Sequence, residues 1–270
     1  MKVAIQGIEG CFHQKAANQY FAQTTEAVCC MTFGDLVEKV ESSEADFGIM
    51  AIENMIAGSI LPNYDLLMHS KLHIIGEYYL YISQNIMALP GTKIEDVEQV
   101  FSHPMAFHQC REYLRNYKLR LIEKEDTALS AKIIQESSLK NTAAIAADIA
   151  AELYGLEIIG KDIQTNKKNY TRFVVLGLKP NTNGGSNKAS ICFSTANESG
   201  CLAKVLNNFS ANNINLSKIQ SHPKIGEDWQ YYFYADLQFD HIETYHKSKS
   251  EIKALCTEYY ELGIYKDELK

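Results

Sequence analysis

The period of the apolar positions changes along the chain. Over the first 178 residues short apolar runs alternate with helical stripes. Lys2–Gln6 predicts a strand that stops at Gly7, and Phe12–Gln23 carries a stripe of Ala16, Ala17, Tyr20 and Phe21. Val28–Thr32 predicts a second strand, and Leu36, Val37 and Val40 mark the next helix. Asp46–Glu53 is an apolar strand with polar residues at its end. Leu72–Ile82 is a long strand passage interrupted near Gly76. Strands at Gln99–Ser102, Ala143–Ala147 and Thr171–Leu178 alternate with helices at Met105–Tyr117 and Thr127–Glu136. Such alternation predicts α/β layers around a largely parallel sheet.

The pattern then breaks. Lys179–Asn187 is polar and rich in turn formers, which reads as a linker. Six elements follow it. They are a strand at Ala189–Thr195, a helical stripe of Leu202, Val205, Leu206 and Phe209, and strands at Ile214–Ser221 and Trp229–Phe239. A second stripe of Ile252, Leu255, Cys256 and Tyr259 and a last strand at Gly263–Leu269 complete a βαββαβ order, the ferredoxin-like layout. The division is therefore 1–178, a linker at 179–187, and 188–270.

Composition narrows the class of partner. The 270 residues carry a formal charge of −7, and a nucleic-acid surface needs a basic face. No run approaches the ~20 apolar residues of a membrane span. The first residues, Met1 to Gly7, are too short for a signal-peptide core, so a cytoplasmic protein is expected. Lys266–Leu269 resembles a retention signal but reads as chance. The seven cysteines have no Cys-x-x-Cys spacing and read as buried reduced thiols, with no metal or cofactor implied.

Several strand-to-helix junctions carry small or hydroxyl residues: Gly7 with Gly10, Cys11 and Phe12; Asn54 with Gly58 and Ser59; Ser102, His103 and Pro104; and Asp126 with Thr127. Each can offer backbone N–H groups to an anion. Singly each is an ordinary cap; together they point to a site for a small, multiply charged acid. Thr171 and Arg172 open the last strand of this part and point to opposite faces by period two. The guanidinium of Arg172 suits a carboxylate. Lys167 and Lys168 read as a solvated loop, and residue chemistry alone does not choose a reaction.

These segments, in this order, resemble the prephenate dehydratase family with its C-terminal ACT regulatory domain. The glycine turn is similar to the family's Gly-Pro-x-Gly-Thr-Phe-Ser opening. Asp46–Asn54 with Gly58-Ser59 resembles its Ile-Glu-Asn-Ser…Gly-Ser segment, and Ser102-His103-Pro104…Gln109 its Ser-His-Pro-Gln-Ala helix. Asp126-Thr127-Ala128 and Ala144-Ile145-Ala146…Gly155 also fit. Asn169-x-Thr171-Arg172-Phe173 matches its most specific motif. Gly200-Cys201-Leu202-Ala203 and Gln220-Ser221-His222-Pro223 resemble the two phenylalanine-contacting motifs. Ile8, Cys11, His13, Met55, Gln84, Met105, Thr165, Cys201, Gln220 and His222 depart from the usual residues.

The resemblance implies a two-lobed, periplasmic-binding-protein-like catalytic domain followed by an ACT domain. It implies a lyase of aromatic amino acid biosynthesis that takes water and carbon dioxide from prephenate. Thr171, Arg172 and Phe173 would be catalytic. Gly10, Cys11, Phe12, Glu53, Asn54, Gly58, Ser59, Ser102, His103 and Thr127 would meet the substrate. Gly200, Cys201, Leu202, Ala203, Ser221, His222 and Pro223 would bind the feedback ligand L-phenylalanine. A homodimer or homotetramer is expected, with no nucleic acid, membrane, metal or cofactor. Arogenate dehydration is the neighbouring reading. A non-catalytic amino-acid sensor and a solute-binding protein of a transporter are the others.

Overall fold

The computed structural model describes residues 1–181 and 184–269. Thr182 and Asn183, within the predicted linker 179–187, and Lys270 lie outside the described residues. The chain runs β1 (Lys2–Gln6), α1 (Phe12–Tyr20), β2 (Glu26–Cys30), α2 (Phe33–Glu41), β3 (Phe47–Asn54), β4 (Gly58–Ser59), α3 (Leu61–His69) and β5 (His73–Tyr81). It continues through β6 (Asn85–Ala88), β7 (Gln99–Ser102), α4 (Pro104–Gln109), α5 (Arg111–Leu114), β8 (Arg120–Glu123), α6 (Thr127–Glu136), β9 (Thr142–Ala146), α7 (Asp148–Tyr154), β10 (Glu157–Gly160) and β11 (Tyr170–Gly177). The last six elements are β12 (Lys188–Ser194), α8 (Cys201–Ala211), β13 (Asn215–Pro223), β14 (Tyr231–Gln238), α9 (Ile242–Ile252) and β15 (Glu258–Tyr265). Two compact units emerge. One holds residues 1–59 and 79–173, the other 60–78 and 174–270, so β5 and β11 each run across the division.

The first unit is built on two sheets. One has the order β2-β1-β3-β11-β5 with β4 paired to β3, and the other β10-β6-β9-β7-β8. The expected parallel pairing is found for β1 with β2 and β3, and for β7 with β8 and β9. It fails at β6, which is antiparallel to both β9 and β10. β6 comes into its sheet directly from β5 of the other sheet, so no strand–helix–strand unit within its own sheet sets its direction. Local signals set the helix ends. Thr32 caps α2 in a reciprocal capping box with Asp35, and Gly155 ends α7 in the left-handed region. The helix expected over Met105–Tyr117 is two short ones, broken at Cys110. Gly76 does not interrupt β5.

The second unit contains the expected βαββαβ succession, as a sheet of order β13-β14-β12-β15. Val205, Phe209, Tyr245 and Ile252 from α8 and α9 pack on Ile191, Phe193, Ala235 and Leu237. The other face meets α3, which the sequence pattern did not announce. The Tyr64 and Tyr234 rings lie 4.8 Å apart, and the Tyr234 hydroxyl donates to Asp65 at 2.7 Å. Covered on both sides, β12 is buried along its whole length.

The last helix and strand begin earlier than expected. α9 ends at Ile252, Tyr259 already belongs to β15, and β15 ends at Tyr265 rather than Leu269. Residues 252–259 carry the chain from helix to strand with Leu255 exposed and Cys256 and Tyr259 half-buried, so their helical spacing does not mark one buried face. Gly263 lies where a Cβ would stand 2.1 Å from the carbonyl oxygen of Ile74. Gly263→Ala should therefore force two backbones apart and lower stability by at least the ~1–3 kcal/mol of an overpacked core, read by urea denaturation. An unchanged midpoint would refute that close approach.

All seven cysteines are free. Cys29 is exposed, against the expectation of buried thiols, because β2 is an edge strand. Among the described residues no helix is long and apolar enough to cross a membrane.

Candidate active site

The first unit brings Thr171 against the end of β3. Alternation along β11 puts Thr171 and Phe173 on one face and Arg172 on the other; all three are buried. Asn54 closes β3, and β4 pairs back on it through Glu53 with Ser59 and Asn54 with Gly58. In the turn between them, Asn54 Oδ1 accepts from the backbone N–H groups of Ile56 and Ala57, each at 2.9 Å. That leaves Asn54 Nδ2 to donate to Thr171 Oγ1 at 2.9 Å, to Asn169 Oδ1 at 2.9 Å and to the Tyr170 carbonyl at 3.3 Å. The backbone reinforces the join, with Met55 N–H donating to the Tyr170 carbonyl at 2.9 Å. The Thr171 oxygen is thus an acceptor from Asn54, and its own proton is left for another group.

Buried amides continue outward from Asn54. Asn169 Nδ2 donates to Gln109 Oε1 at 3.1 Å, and Gln84 Nε2 donates to the same oxygen at 3.0 Å. Burying four amides this close is tolerable because almost every one is paired. Asn169 and Gln109 entered the sequence reading only as letters of motifs. Their signal was a lone amide beside an apolar strand or inside a short helix, which also marks ordinary caps.

On the other side of Thr171, Phe173 meets His13 edge to face at 5.0 Å, and His13 leans on Phe33 at 5.5 Å. The imidazole keeps part of its surface open, yet the atoms packed around it push its pKa down to about 4. It is therefore neutral near pH 7 and accepts from the Ala51 N–H at 3.4 Å.

The other sequence-predicted residues divide into those near this centre and those committed elsewhere. Gly10 has φ +88°, and a Cβ there would meet the Ala150 Cα at 3.2 Å, so only glycine suits the turn into α1. Its N–H donates to Gln14 Oε1 at 2.6 Å. The N–H groups after Asn54 are likewise held by Asn54 itself. Cys11 precedes α1 as a buried thiol pushed up to about 12 by desolvation, and Phe12 begins the helix half-buried. This turn meets α7, where the Tyr154 hydroxyl donates to the Glu9 carbonyl at 2.7 Å and Lys15 pairs with Asp148 at 2.6 Å.

Ser102 is fully buried at the end of β7, and its hydroxyl donates to the Ile145 carbonyl at 2.7 Å, which takes its proton away from any substrate. His103 is exposed and caps α4, its Nδ1 accepting from the Met105 N–H at 3.1 Å. Thr127 begins α6 behind its cap Asp126, whose carboxylate accepts from the Leu129 N–H at 2.8 Å. Lys167 and Lys168 are exposed, as expected.

The second unit carries the other two motifs. Gly200, at φ +84°, caps α8, and Cys201, Leu202 and Ala203 form its first turn. Ser221, His222 and Pro223 close β13. Ser221 and Pro223 are exposed, while His222 turns to the opposite face and reaches Asp65 of α3 at 3.4 Å. No hydrogen bond among the described residues joins the two motifs.

The first unit thus sets two α/β sheets beside a buried threonine held by strand-end amides, the class of an α/β protein with a polar centre at its strand ends. The comparisons give this class its family. The family model for prephenate dehydratase matches residues 3–181. Arogenate dehydratase 2 of Petunia hybrida is 40% identical over 225 residues, which are 83% of this chain and 57% of that protein. The chain thus spans little more than half the length of that relative. Prephenate dehydratase of Arthrobacter aurescens in complex with L-Phe has the same fold, with a TM-score of 0.89 at 24% identity over 99% of this chain and 90% of that one. GqqA, described as a novel type of quorum quenching acylase, matches with a TM-score of 0.90 at 25% identity over 100% and 99% of the two chains. The chain belongs to the prephenate dehydratase family.

Proposed function

We propose that the protein converts prephenate to phenylpyruvate, with residues 1–178 as the catalytic domain, 179–187 as linker and 188–270 as the regulatory domain. The observation that carries this reading is the hydrogen bond from Asn54 Nδ2 to Thr171 Oγ1. Because the Asn54 carbonyl is pinned by two N–H groups, the threonine hydroxyl is left to donate its proton outward. In the reaction the ring carboxylate leaves as carbon dioxide, and its bonding electrons enter the ring. The ring hydroxyl departs with the C–O electron pair and takes up one proton, leaving as water. The aromatic ring that forms supplies the driving force.

Thr171 donates the hydrogen bond that the departing oxygen needs, and a proton from solvent restores the balance. A threonine is a weak acid, so orientation in a water-poor site does much of the work. Arg172 is the candidate partner for the retained carboxylate. Glu53, Gly58 and Ser59 lie along the same hairpin as Asn54 and form the rest of the substrate edge. Phe173, with His13 against it, supplies an apolar wall where a carboxylate to be expelled is poorly solvated. A neutral His13 keeps a fixed positive charge away from that carboxylate.

The second unit is proposed to bind L-phenylalanine at Gly200–Ala203 and Ser221–Pro223, as a feedback ligand acting on a self-associated dimer or tetramer. The ferredoxin-like layout, the likeness of both motifs and the phenylalanine-bound Arthrobacter structure support this. The name of the Petunia relative favours arogenate as a second substrate, which differs from prephenate by an amine in place of the keto group.

The test is to mix the protein with prephenate at neutral pH and follow phenylpyruvate by its absorbance in alkali, with and without phenylalanine. Turnover that phenylalanine suppresses is expected. Turnover on arogenate alone would replace the substrate, and no turnover on either would leave a sensor. Turnover indifferent to phenylalanine would remove the regulatory assignment.

A further inference from the structure

The amides beside Thr171 are oriented in one direction only. With its oxygen held by Ile56 and Ala57, Asn54 can turn only its NH2 group toward Asn169 and Thr171. Asn169 must then turn its oxygen to Asn54 and its NH2 group to Gln109 Oε1. The same oxygen accepts from Gln84 Nε2. Rotating any one of these amides by a half-turn would set oxygen against oxygen or nitrogen against nitrogen at its neighbours. Two backbone N–H groups in one turn therefore fix four side-chain amides.

The series ends at Gln84, and its end is unfavourable. Gln84 Oε1 is buried and has no hydrogen-bond partner among the described residues. A buried carbonyl left in this way destabilises the fold, and an apolar side chain of similar size would avoid the penalty. Fold stability alone thus gives no reason for a glutamine here. The backbone nevertheless holds the residue in place, with its N–H donating to Gln164 Oε1 at 2.9 Å and its carbonyl accepting from the Ile163 N–H at 2.8 Å. What the glutamine contributes is its second donor to Gln109. With Gln109 Oε1 held by two donors, the Gln109 NH2 group is fixed in direction, and it has no partner among the described residues.

We infer that Gln84 is a positioning residue for the dehydratase reaction. It locks the Gln109 amide so that its NH2 group is presented to the substrate and the Asn169–Asn54–Thr171 hydrogen bonds stay in register. This rests on the dehydratase reading above. Gln84 touches no reacting atom and acts only through Gln109.

Two variants separate positioning from packing. Gln84→Leu removes the donor together with the orphaned carbonyl. It should lower kcat about tenfold while KM moves less than about threefold and the melting temperature does not fall. Gln84→Glu can donate to Gln109 only while protonated. The new carboxyl faces Gln109, with the Cys110 thiol next to it in sequence, while Gln164 on the backbone N–H of residue 84 links to Tyr81 and Asp162, and Lys167 sits on the Asp162 carbonyl. The Ser83 hydroxyl holds Asp162 below the usual carboxylate range, while burial pushes Tyr81 up and Cys110 to about 12. None of those three titrates between pH 5 and 8. Burial and the Asp162 charge raise the pKa of the new carboxyl. The ratio of variant to wild-type kcat should therefore be near one in acid and fall about tenfold as pH rises through that value.

The Asn169 and Gln109 side-chain amide resonances report the same arrangement without turnover. They should shift in Gln84→Leu and titrate in Gln84→Glu. Unmoved resonances, wild-type kcat in both variants, or a kcat loss that merely follows a lowered melting temperature would each overturn the inference. Shifted resonances in a protein whose wild type does not turn over would uphold the amide lock and remove the dehydratase reading alone.

Discussion

Thr171→Val should lower kcat by about 10²- to 10⁴-fold, the range over which a positioned proton donor contributes to a reaction, and leave KM within a few-fold. The fold has little reason to suffer. Valine keeps the shape and the β-branch, and Asn54 Nδ2 still donates to Asn169 and to the Tyr170 carbonyl. The melting temperature should move by no more than the ~1 kcal/mol of one hydrogen bond. Thr171→Ser keeps the hydroxyl and should retain most of the rate. Steady-state kinetics on the three proteins, with melting curves beside them, decide the matter. If the valine variant turns over at the wild-type rate, the threonine is a structural residue and the proposed chemistry has lost its donor.

Lys188→Met should be the most damaging single change to stability. Lys188 and Glu77 are buried and lie 2.8 and 3.0 Å apart by their two oxygens, with the Asp267 carboxylate 3.7 Å from the same ammonium. Removing the cation leaves two buried carboxylates facing each other, and breaking a buried pair costs about 3–5 kcal/mol. The pH dependence has a definite sign. Burial works against the Asp267 carboxylate, but the Leu269 N–H and the Lys188 charge outweigh it and hold the carboxyl below its ordinary value. In the wild type that contribution is present above the ordinary aspartate range near pH 3.9 and is lost as pH falls through the lower folded value. In the variant the Lys188 charge no longer favours the Asp267 carboxylate, so its deficit should be largest at neutral pH and shrink in acid. Urea denaturation at pH 7 and pH 5 measures both points, and equal deficits would mean that the triad is not electrostatically coupled.

Most of the element order could be read from the chain because it depends on local spacing. The alternating run within the expected strand Trp229–Phe239, of which Phe233, Ala235 and Leu237 fall in β14, and the stripe of Leu202, Val205, Leu206 and Phe209 in α8 each face the core of the second unit. α3 carries its buried residues Asn63, Tyr64, Leu67 and Met68 at helical spacing, but it is nine residues long with a proline and an asparagine in its first turn, so its pattern did not stand out from a loop. The stripe of Ile252, Leu255, Cys256 and Tyr259 misled in the opposite way, since a connection between helix and strand carries apolar residues at helical spacing while Leu255 stays exposed.

For the candidate site, the sequence by itself determined the family and the residue types. Thr171-Arg172-Phe173, Asn54 and the glycine turn are local strings, and they need no folded context to be recognised. The tertiary structure alone decided what each polar group is free to do. Hydrogen-bond direction is a relation between residues that are distant in the chain. Asn54 meets Thr171 across 117 positions, Asn169 meets Gln109 across 60, and Ser102 meets Ile145 across 43. Those pairings committed the Ser102 proton to the protein itself. They also left the proton of Thr171 and the NH2 group of Gln109 available, because a donor or acceptor can be assigned only when its partner has been brought within about 3 Å.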